Sequence, residues 1–347
     1  MMAGRHARAH NASTADTTAP SSSTEHGAHP RPTSGGAPVR IASFNVQNLR
    51  WREDDAGAHM DGARDADTPQ DAGQAVAALD SRDRQLTAKV LRDIDADVVA
   101  LQEVFDLATL DRFHDAFLMP TGARPYPHRV CLPGNDGRGQ DVALLSRIPL
   151  TDIRSHAQLT PADLGMQAGP ETDRPIFRRD CLMATARSLT LAVCHFKAPY
   201  PDPQTAWHVR RREALAVRHL LTQRFPLRET GRWLILGDLN EQTGGTARRD
   251  TAISPLTDDF GIDLLAKLPD SERWTYLEPD ANRRSCPDAM IASPALARDW
   301  PDATPVLVRE GMGRETGNGR ARKLEGVGWH RPHASDHAAV VIEFPGL

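Results

Sequence analysis

Six short apolar segments in this chain of 347 residues each begin or end on an acidic or imidazole side chain, and nothing else in the sequence constrains the fold as much. Asp97-Val98-Val99-Ala100-Leu101 runs into Gln102-Glu103, Thr190-Leu191-Ala192-Val193-Cys194 ends at His195, and Trp233-Leu234-Ile235-Leu236 ends at Gly237-Asp238. In the opposite sense, Asp141 precedes Val142-Ala143-Leu144-Leu145, Asp288 precedes Ala289-Met290-Ile291-Ala292, and Asp336-His337 precede Ala338–Phe344. Short apolar runs with polar flanks read as buried strands. In a layered sheet protein the strand middles fill the core, while strand ends on one rim lie close together. Such ends gather carboxylates and imidazoles in one place, and gathered carboxylates are costly unless a cation neutralises them. The pattern predicts an α/β sheet protein with a metal site at one sheet edge.

The rest of the chain fits one large folded domain with a tail. Residues 1–38 hold Ala, Ser, Thr, Pro, Gly and His with almost nothing large and apolar, so they cannot offset their ordering entropy and are expected to be disordered. Folding is expected over 39–347, starting with the alternating strand Val39-Arg40-Ile41-Ala42-Ser43-Phe44. Asp54–Asp80, full of Asp, Ala, Gly and Gln, reads as a surface loop. Arg82–Ile94 places Leu86, Val90, Leu91 and Ile94 on one helical face, and a second helix spans Thr205–Arg224, with Leu215, Leu220 and Leu221 among its apolar positions.

Composition excludes several classes. Hydrophobic residues at 39% and charged residues at 25% suit a globular protein, and no apolar run approaches the ~20 residues needed to cross a bilayer. No stable membrane association is expected. The first residues carry positive charge with no apolar stretch behind it, so a cytoplasmic location is expected; secretion stays open if the start site is misassigned. Cys131, Cys181, Cys194 and Cys286 form no CxxC pair and read as reduced thiols. The net charge of −4 neither supplies nor excludes the basic face that a nucleic-acid binder shows.

Carboxylate and amide oxygens with no thiolate among them suit hard cations, Mg²⁺ first and Mn²⁺ or Ca²⁺ after it. Asn45 and Glu103 are the first candidates. In Gly237-Asp238-Leu239-Asn240 the glycine permits a sharp turn, and an Asp and an Asn two apart face the same side, where they can bind a metal or orient a water. Taken alone, the tetrapeptide is equally a β-turn with an Asx hydrogen bond. In Ser335-Asp336-His337 the Asp can serve a metal while the imidazole serves as acid or base near neutral pH. His195 is a second imidazole. Asp288 and Asp141 can each stand behind one of these rings, and sequence alone does not pair them.

Taken in order, Phe44-Asn45, Leu101-Gln102-Glu103, Asp141-Val142-Ala143-Leu144-Leu145, His195-Phe196-Lys197-Ala198-Pro199, Gly237-Asp238-Leu239-Asn240, Asp288 and Ser335-Asp336-His337 resemble the endonuclease/exonuclease/phosphatase superfamily of deoxyribonuclease I-like enzymes. The resemblance covers residues 39 to 345. It implies a four-layered α/β/β/α sandwich in which two mostly antiparallel sheets lie face to face, with the metal site at one edge. It implies Glu103 as metal ligand with Asn45 and Asp336 assisting, and Asp238 and Asn240 as the pair that places water and phosphate. It implies His337 with partner Asp288 as the water-activating or phosphate-binding histidine, His195 with Asp141 as a second pair, and Arg179 as a phosphate contact, with Arg178 or Arg174 as alternatives. His195 stands where the apurinic endonucleases have asparagine, Cys286-Pro287 is an unusual approach to Asp288, and both Asp54–Asp80 and Glu310–Pro332 look like insertions. The activity so implied is divalent-metal-dependent phosphodiester hydrolysis by a monomer, with DNA or RNA as substrate. The alternatives are a lipid or sugar phosphoester within the same superfamily, or a phosphate-binding module without turnover.

Overall fold

Successive side chains of a strand point to opposite faces, so a strand that is apolar throughout must be covered on both sides. A computed structural model of the chain shows how both faces are covered; it describes residues 37–54, 57–64, 74–166, 174–227, 229–241, 251–278, 283–317 and 322–347. All of these lie in one unit, Pro32–Leu347. The tail expected over residues 1–38 lies outside the described residues but for its last two.

In chain order the first eight strands are β1 (Val39–Leu49), β2 (Trp51–Asp54), β3 (Gly57–Met60), β4 (Val98–Val104), β5 (His128–Cys131), β6 (Asp141–Ser146), β7 (Leu150–Arg154) and β8 (Cys181–Ala186). The second eight are β9 (Leu189–His195), β10 (Trp233–Asp238), β11 (Ile262–Asp263), β12 (Tyr276–Glu278), β13 (Arg283–Ser285), β14 (Asp288–Ala292), β15 (Val306–Val308) and β16 (Ala339–Phe344). The α-helices are α1 (Gln74–Ile94), α2 (Leu107–Phe113), α3 (Pro203–Arg224) and α4 (Pro294–Asp299).

One sheet runs β15-β16-β1-β4-β6-β5 and the other β11-β14-β10-β9-β8-β7. Neighbours pair antiparallel except β1 with β4 and β9 with β10. A parallel pair needs a crossover connection; α1 lies in the one between β1 and β4, and α3 in the one between β9 and β10. The sheets share a central core, in which Ile41, Val98 and Val142 of the first join Leu191, Leu234 and Met290 of the second. Their strand neighbours point outward. Ala42, Val99 and Ala143 pack with Leu86 and Leu91 of α1 and Leu110 of α2, while Ala192, Ile235 and Ile291 pack with Ala214, Val217 and Leu221 of α3. This is the expected four-layered α/β/β/α sandwich.

The topology also decides where the polar ends go. In the second sheet β9 and β10 finish side by side with His195 opposite Asp238, and β14 starts there with Asp288 opposite Asp238. In the first sheet β4 finishes where β6 starts, with Val104 opposite Asp141, and β16 follows directly on His337.

The segment Asp54–Asp80 departs from the loop expected of it. Gly57–Met60 pairs with Trp51–Asp54 as a hairpin, and α1 begins at Gln74, ahead of the expected Arg82. Asp61 and Asp80 are buried because arginines meet them: Arg52 Nε donates to Asp61 Oδ2 at 2.7 Å, and Arg331 Nη2 to Asp80 Oδ1 at 2.6 Å. Composition made these acids look solvated, whereas ion pairing carries them inside. Residues 55–56 and 65–73 of this segment lie outside the described residues. All four cysteines are free and buried, and no described helix is long and apolar enough to cross a membrane.

Candidate active site

Glu103 owes its direction to a break in β4. The ladder is regular as far as Gln102, opposite Asn45 on one side and Val142 on the other, and both registers shift at the next residue. There Glu103 takes φ +66°, a left-handed conformation uncommon for a residue with a Cβ. The irregularity re-aims its side chain, as bulges do. Oε2 accepts from the Asn48 N–H at 2.8 Å and from Gln140 Nε2 at 3.2 Å, and Oε1 accepts from Asn45 Nδ2 at 3.3 Å. Gln47 (φ +46°), Asn48 (φ +61°) and Asn240 (φ +53°) are left-handed as well. Backbone strain of this kind persists only where its surroundings over-determine it, and it gathers at functional sites.

Asp238 is the hub between the sheets. Its Oδ1 accepts the Asn240 N–H at 2.8 Å, and its Oδ2 accepts Asn45 Nδ2 at 3.1 Å from the opposite sheet. The same Oδ2 is faced by His195 Nε2 at 3.6 Å and His337 Nε2 at 3.8 Å. Both distances are too long for hydrogen bonds, so the two rings surround the oxygen without tying it down. Gly237, expected to make a sharp turn, instead stays within β10 at φ +137°. A Cβ there would lie 1.9 Å from the Cys194 carbonyl oxygen, so close approach of β9 is what requires glycine.

His337 is fixed from several sides. Its Nδ1 is 2.8 Å from Asp288 Oδ2, its N–H donates to Ser335 Oγ at 3.1 Å, and the Tyr276 ring lies 5.0 Å from its own. Ser335 Oγ in turn donates to the Asn45 carbonyl at 2.7 Å, and the Asp336 N–H donates to Gln47 Oε1 at 3.2 Å. Burial by itself would lower the pKa of His337, but Asp288, Asp336 and Asp238 outweigh it and hold the ring well above its ordinary value, which favours its charged form. Burial lifts the Asp238 carboxyl to about 6, with His337 opposing. Burial pushes His195 well below its ordinary value, helped by the positive Arg179, His337 and Arg138, which favours the neutral ring.

The structure does not bring Asp141 behind His195. His195 Nδ1 and Asp141 Oδ1 are both buried without a hydrogen-bond partner. Asp141 lies instead against Gly134, where a Cβ would be 2.3 Å from Oδ1, and burial lifts its carboxyl to about 6. Arg179 is buried and already engaged, with Nε 2.9 Å from Asp136 Oδ2 and Nη1 donating to the Phe196 carbonyl at 3.0 Å. Arg178 is half-buried and Arg174 exposed. Asn240 Nδ2 donates to the same Phe196 carbonyl at 3.0 Å. Gln47, Asn48, Gln140, Ser335 and Tyr276 belong to the site and were not singled out from the sequence. The one available signal was their placement beside Asn45, Asp141 and Asp336 or ahead of Asp288.

Glu103 and Asp336, both half-buried, are the carboxylates that can serve a cation. Asn45, expected as a third ligand, directs Nδ2 at Glu103 and Asp238 and gives Oδ1 to the Gln47 N–H at 3.0 Å, so it braces the carboxylates. Among the described residues no group of three or more His, Cys, Asp or Glu is set to hold a metal. A donor set of one or two carboxylates fits Mg²⁺, which keeps several waters and takes the rest of its shell from substrate phosphate.

A family model, described as the Endonuclease/Exonuclease/phosphatase family, matches residues 42–337. Among solved structures, truncated Caenorhabditis elegans TDP2 is similar with TM-score 0.52 and 15% identity, over 88% of this chain and 97% of that one. An AP endonuclease from Archaeoglobus fulgidus is similar with TM-score 0.50 and 16% identity, over 88% of this chain and 98% of that one. A mannosyl-6-phosphatase from Bacteroides thetaiotaomicron has TM-score 0.50 and 13% identity, over 88% of this chain and 98% of that one. No curated protein sequence matches the chain significantly.

Proposed function

The chain belongs to the endonuclease/exonuclease/phosphatase family, and from that premise we propose that it is a divalent-metal-dependent phosphodiester hydrolase acting on DNA or RNA. The observation that carries the reading is the meeting at Asp238 Oδ2 of Asn45, His195 and His337, drawn from both sheets, with Asp288 behind His337. Glu103 and Asp336 are the residues to hold the ion, Mg²⁺ in the first place and Mn²⁺ or Ca²⁺ as substitutes. When bound, it would polarise a phosphate oxygen and favour attack.

The side chains divide the remaining work. Asp288, Asp336 and Asp238 favour the charged form of His337, which has no lone pair to accept a proton, and we therefore assign the base role to its neighbour. Asp238, with its carboxyl near 6, is ionised at neutral pH and still basic enough to take a proton from water aligned by Asn240. His337, charged and aimed by Asp288, donates Nε2–H toward the phosphate oxygen on which charge grows. His195 offers a neutral ring to the same group. Arg138 and Arg179 act electrostatically on His195 and would add positive charge for a phosphate beside it. An AP endonuclease among the similar structures is in keeping with a nucleic-acid substrate, and the similar mannosyl-6-phosphatase keeps a sugar phosphate as the alternative.

The test is metal-dependent product release from plasmid DNA, RNA, sphingomyelin, mannose 6-phosphate and bis-p-nitrophenyl phosphate, each with an EDTA control. Nucleic-acid cleavage outpacing the others is expected, with an acidic limb of kcat/KM near pH 6. Turnover of the sugar phosphate or lipid alone would move the substrate within the family. No cleavage with Mg²⁺, Mn²⁺ or Ca²⁺ would leave a phosphate-binding module without turnover.

A further inference from the structure

Arg84 stands in the charged run Arg82-Asp83-Arg84 of α1, yet among the described residues it is the largest fully buried side chain. Its guanidinium meets no carboxylate directly. Nη1 donates to the Val46 carbonyl at 2.7 Å; Nη2 donates to the carbonyls of Gln47 at 2.7 Å, Asn48 at 3.0 Å and Gly62 at 2.5 Å; Nε donates to that of Asp61 at 2.6 Å. Burying a cation among carbonyl dipoles is costly: desolvation lowers the pKa of Arg84 to about 10, against the pull of Asp83, Asp61 and Asp80. Only a planar fork of five N–H donors spans three consecutive carbonyls and a second segment together; an ammonium with three hydrogens at one point does not.

The backbone held in this way is the left-handed Gln47–Asn48 segment. One side of it faces Arg84. The other faces the candidate metal carboxylates, since the Asn48 N–H donates to Glu103 and Gln47 Oε1 accepts the Asp336 N–H. The same turn of α1 grips the chain just before Asp336. Asp83 Oδ1 accepts the His333 N–H at 2.9 Å, and Thr87 Oγ1 donates to the Ala334 carbonyl at 2.7 Å.

We propose that Arg84 is the positioning residue of the candidate metal site: it fixes the strained Val46–Asn48 backbone so that Asn48 and Gln47 aim Glu103 and Asp336. The inference rests on the hydrolase reading above. Partners one step removed from a metal's ligands typically change metal affinity or activity about 10–100-fold when lost. A residue that only stabilised the fold would lower the melting point and leave metal affinity in the folded molecules unchanged.

The experiment compares wild type, Arg84→Lys, Arg84→Ala and Leu91→Ala, the last removing a buried side chain from the same helix away from these carbonyls. Mn²⁺ affinity is read by calorimetric titration of samples whose near-ultraviolet circular dichroism matches wild type, and kcat and KM by hydrolysis of bis-p-nitrophenyl phosphate. Both Arg84 variants should bind Mn²⁺ at least about tenfold more weakly, with kcat regained at saturating Mn²⁺ and KM for the phosphodiester little changed. Leu91→Ala should lose stability and keep its Mn²⁺ affinity. Low millimolar guanidinium should restore part of the affinity to Arg84→Ala. If Arg84→Ala does not fold, Arg84→Lys decides alone. Arg84 variants that bind Mn²⁺ like Leu91→Ala overturn the positioning role while leaving the hydrolase reading intact. Wild type that neither binds Mn²⁺ nor cleaves any phosphoester overturns that reading and this inference with it.

Discussion

Gly237→Ala puts one methyl group where the sheet has no room for it. The added Cβ would stand 1.9 Å from the Cys194 carbonyl oxygen and 3.0 Å from its carbon. Relief requires β9 and β10 to part locally by about 1 Å, since real Cβ contacts stay above 3.0 Å. Neither strand can yield freely, because β8 and β14 flank the pair in the same sheet. Alanine must also adopt φ +137°, a region left almost entirely to glycine. Backbone strain of ~1–3 kcal/mol and overpacking of ~1–3 kcal/mol together give about 2–6 kcal/mol, against a total stability of ~5–15 kcal/mol. The next register pair along these strands is Asp238 opposite His195, so the parting reaches the hub of the site. A misplacement of ~1 Å costs on the order of 10²-fold in rate. Urea unfolding followed by circular dichroism measures the first effect, and Mn²⁺-dependent hydrolysis of bis-p-nitrophenyl phosphate at a temperature where the variant is folded measures the second. A variant with unchanged midpoint and full turnover would show that β9 and β10 do not approach as described, and the account of Asp238 would fall with it.

Asp288→Asn keeps the shape behind His337 and removes its charge; kcat should fall by ~10²–10³-fold, and a loss under threefold in single-turnover assays would detach Asp288 from the mechanism. Glu103→Gln should weaken Mn²⁺ binding, read by titration calorimetry, and EDTA should abolish turnover of wild type reversibly; Mn²⁺ affinity equal to wild type would move the ion elsewhere. Glu213, fully buried on α3, accepts the Arg178 and Lys197 N–H groups at 2.9 Å each, and burial raises its carboxyl from 4.5 to about 7. Between those values the folded state keeps a proton that the unfolded state has released, so stability present below pH ~4.5 is lost as pH rises toward ~7, by about 3 kcal/mol from this group. Subtracting the stability–pH curve of Glu213→Gln from that of wild type isolates it, and a flat difference over that window refutes the assignment.

The strand ends were legible in the sequence because two-sided apolar strands leave their polar groups nowhere but the rim. The pairing of those groups was not. Asp141 and Asp288 each head a strand and looked equivalent as partners for a histidine. The fold separates them: Asp288 sits opposite Asp238 in the second sheet and meets His337 arriving from the first, whereas Asp141 turns against Gly134. The roles of Gln47 and Asn48 depend on a left-handed backbone at both residues, which residue type does not announce. Arginine is usually solvated, so residue type alone does not mark Arg84 as buried. Yet it falls three residues before Thr87 and seven before Leu91, on the buried face of α1, and that spacing was the available sign.

Protonation state is the step at which residue type carries least. An imidazole can be an acid, a base or a neutral donor, and the sequence offers two of them with no means of choosing. Burial among cations pushes His195 toward its neutral form, while three carboxylates around His337 outweigh the same burial and favour its charged form. The charge on His337 then constrains Asp238, since it lowers a carboxyl that desolvation raises and leaves it near 6. In the mechanism proposed above, the water-activating role is therefore assigned to the aspartate rather than to the histidine. Asp238→Asn should therefore cost more in kcat than His337→Gln, because the first removes the proton acceptor and the second only a hydrogen-bond donor to the phosphate. The acidic limb near pH 6 should persist in His337→Gln, displaced upward because the positive charge that lowered the Asp238 carboxyl is gone. Its disappearance would return the base role to His337.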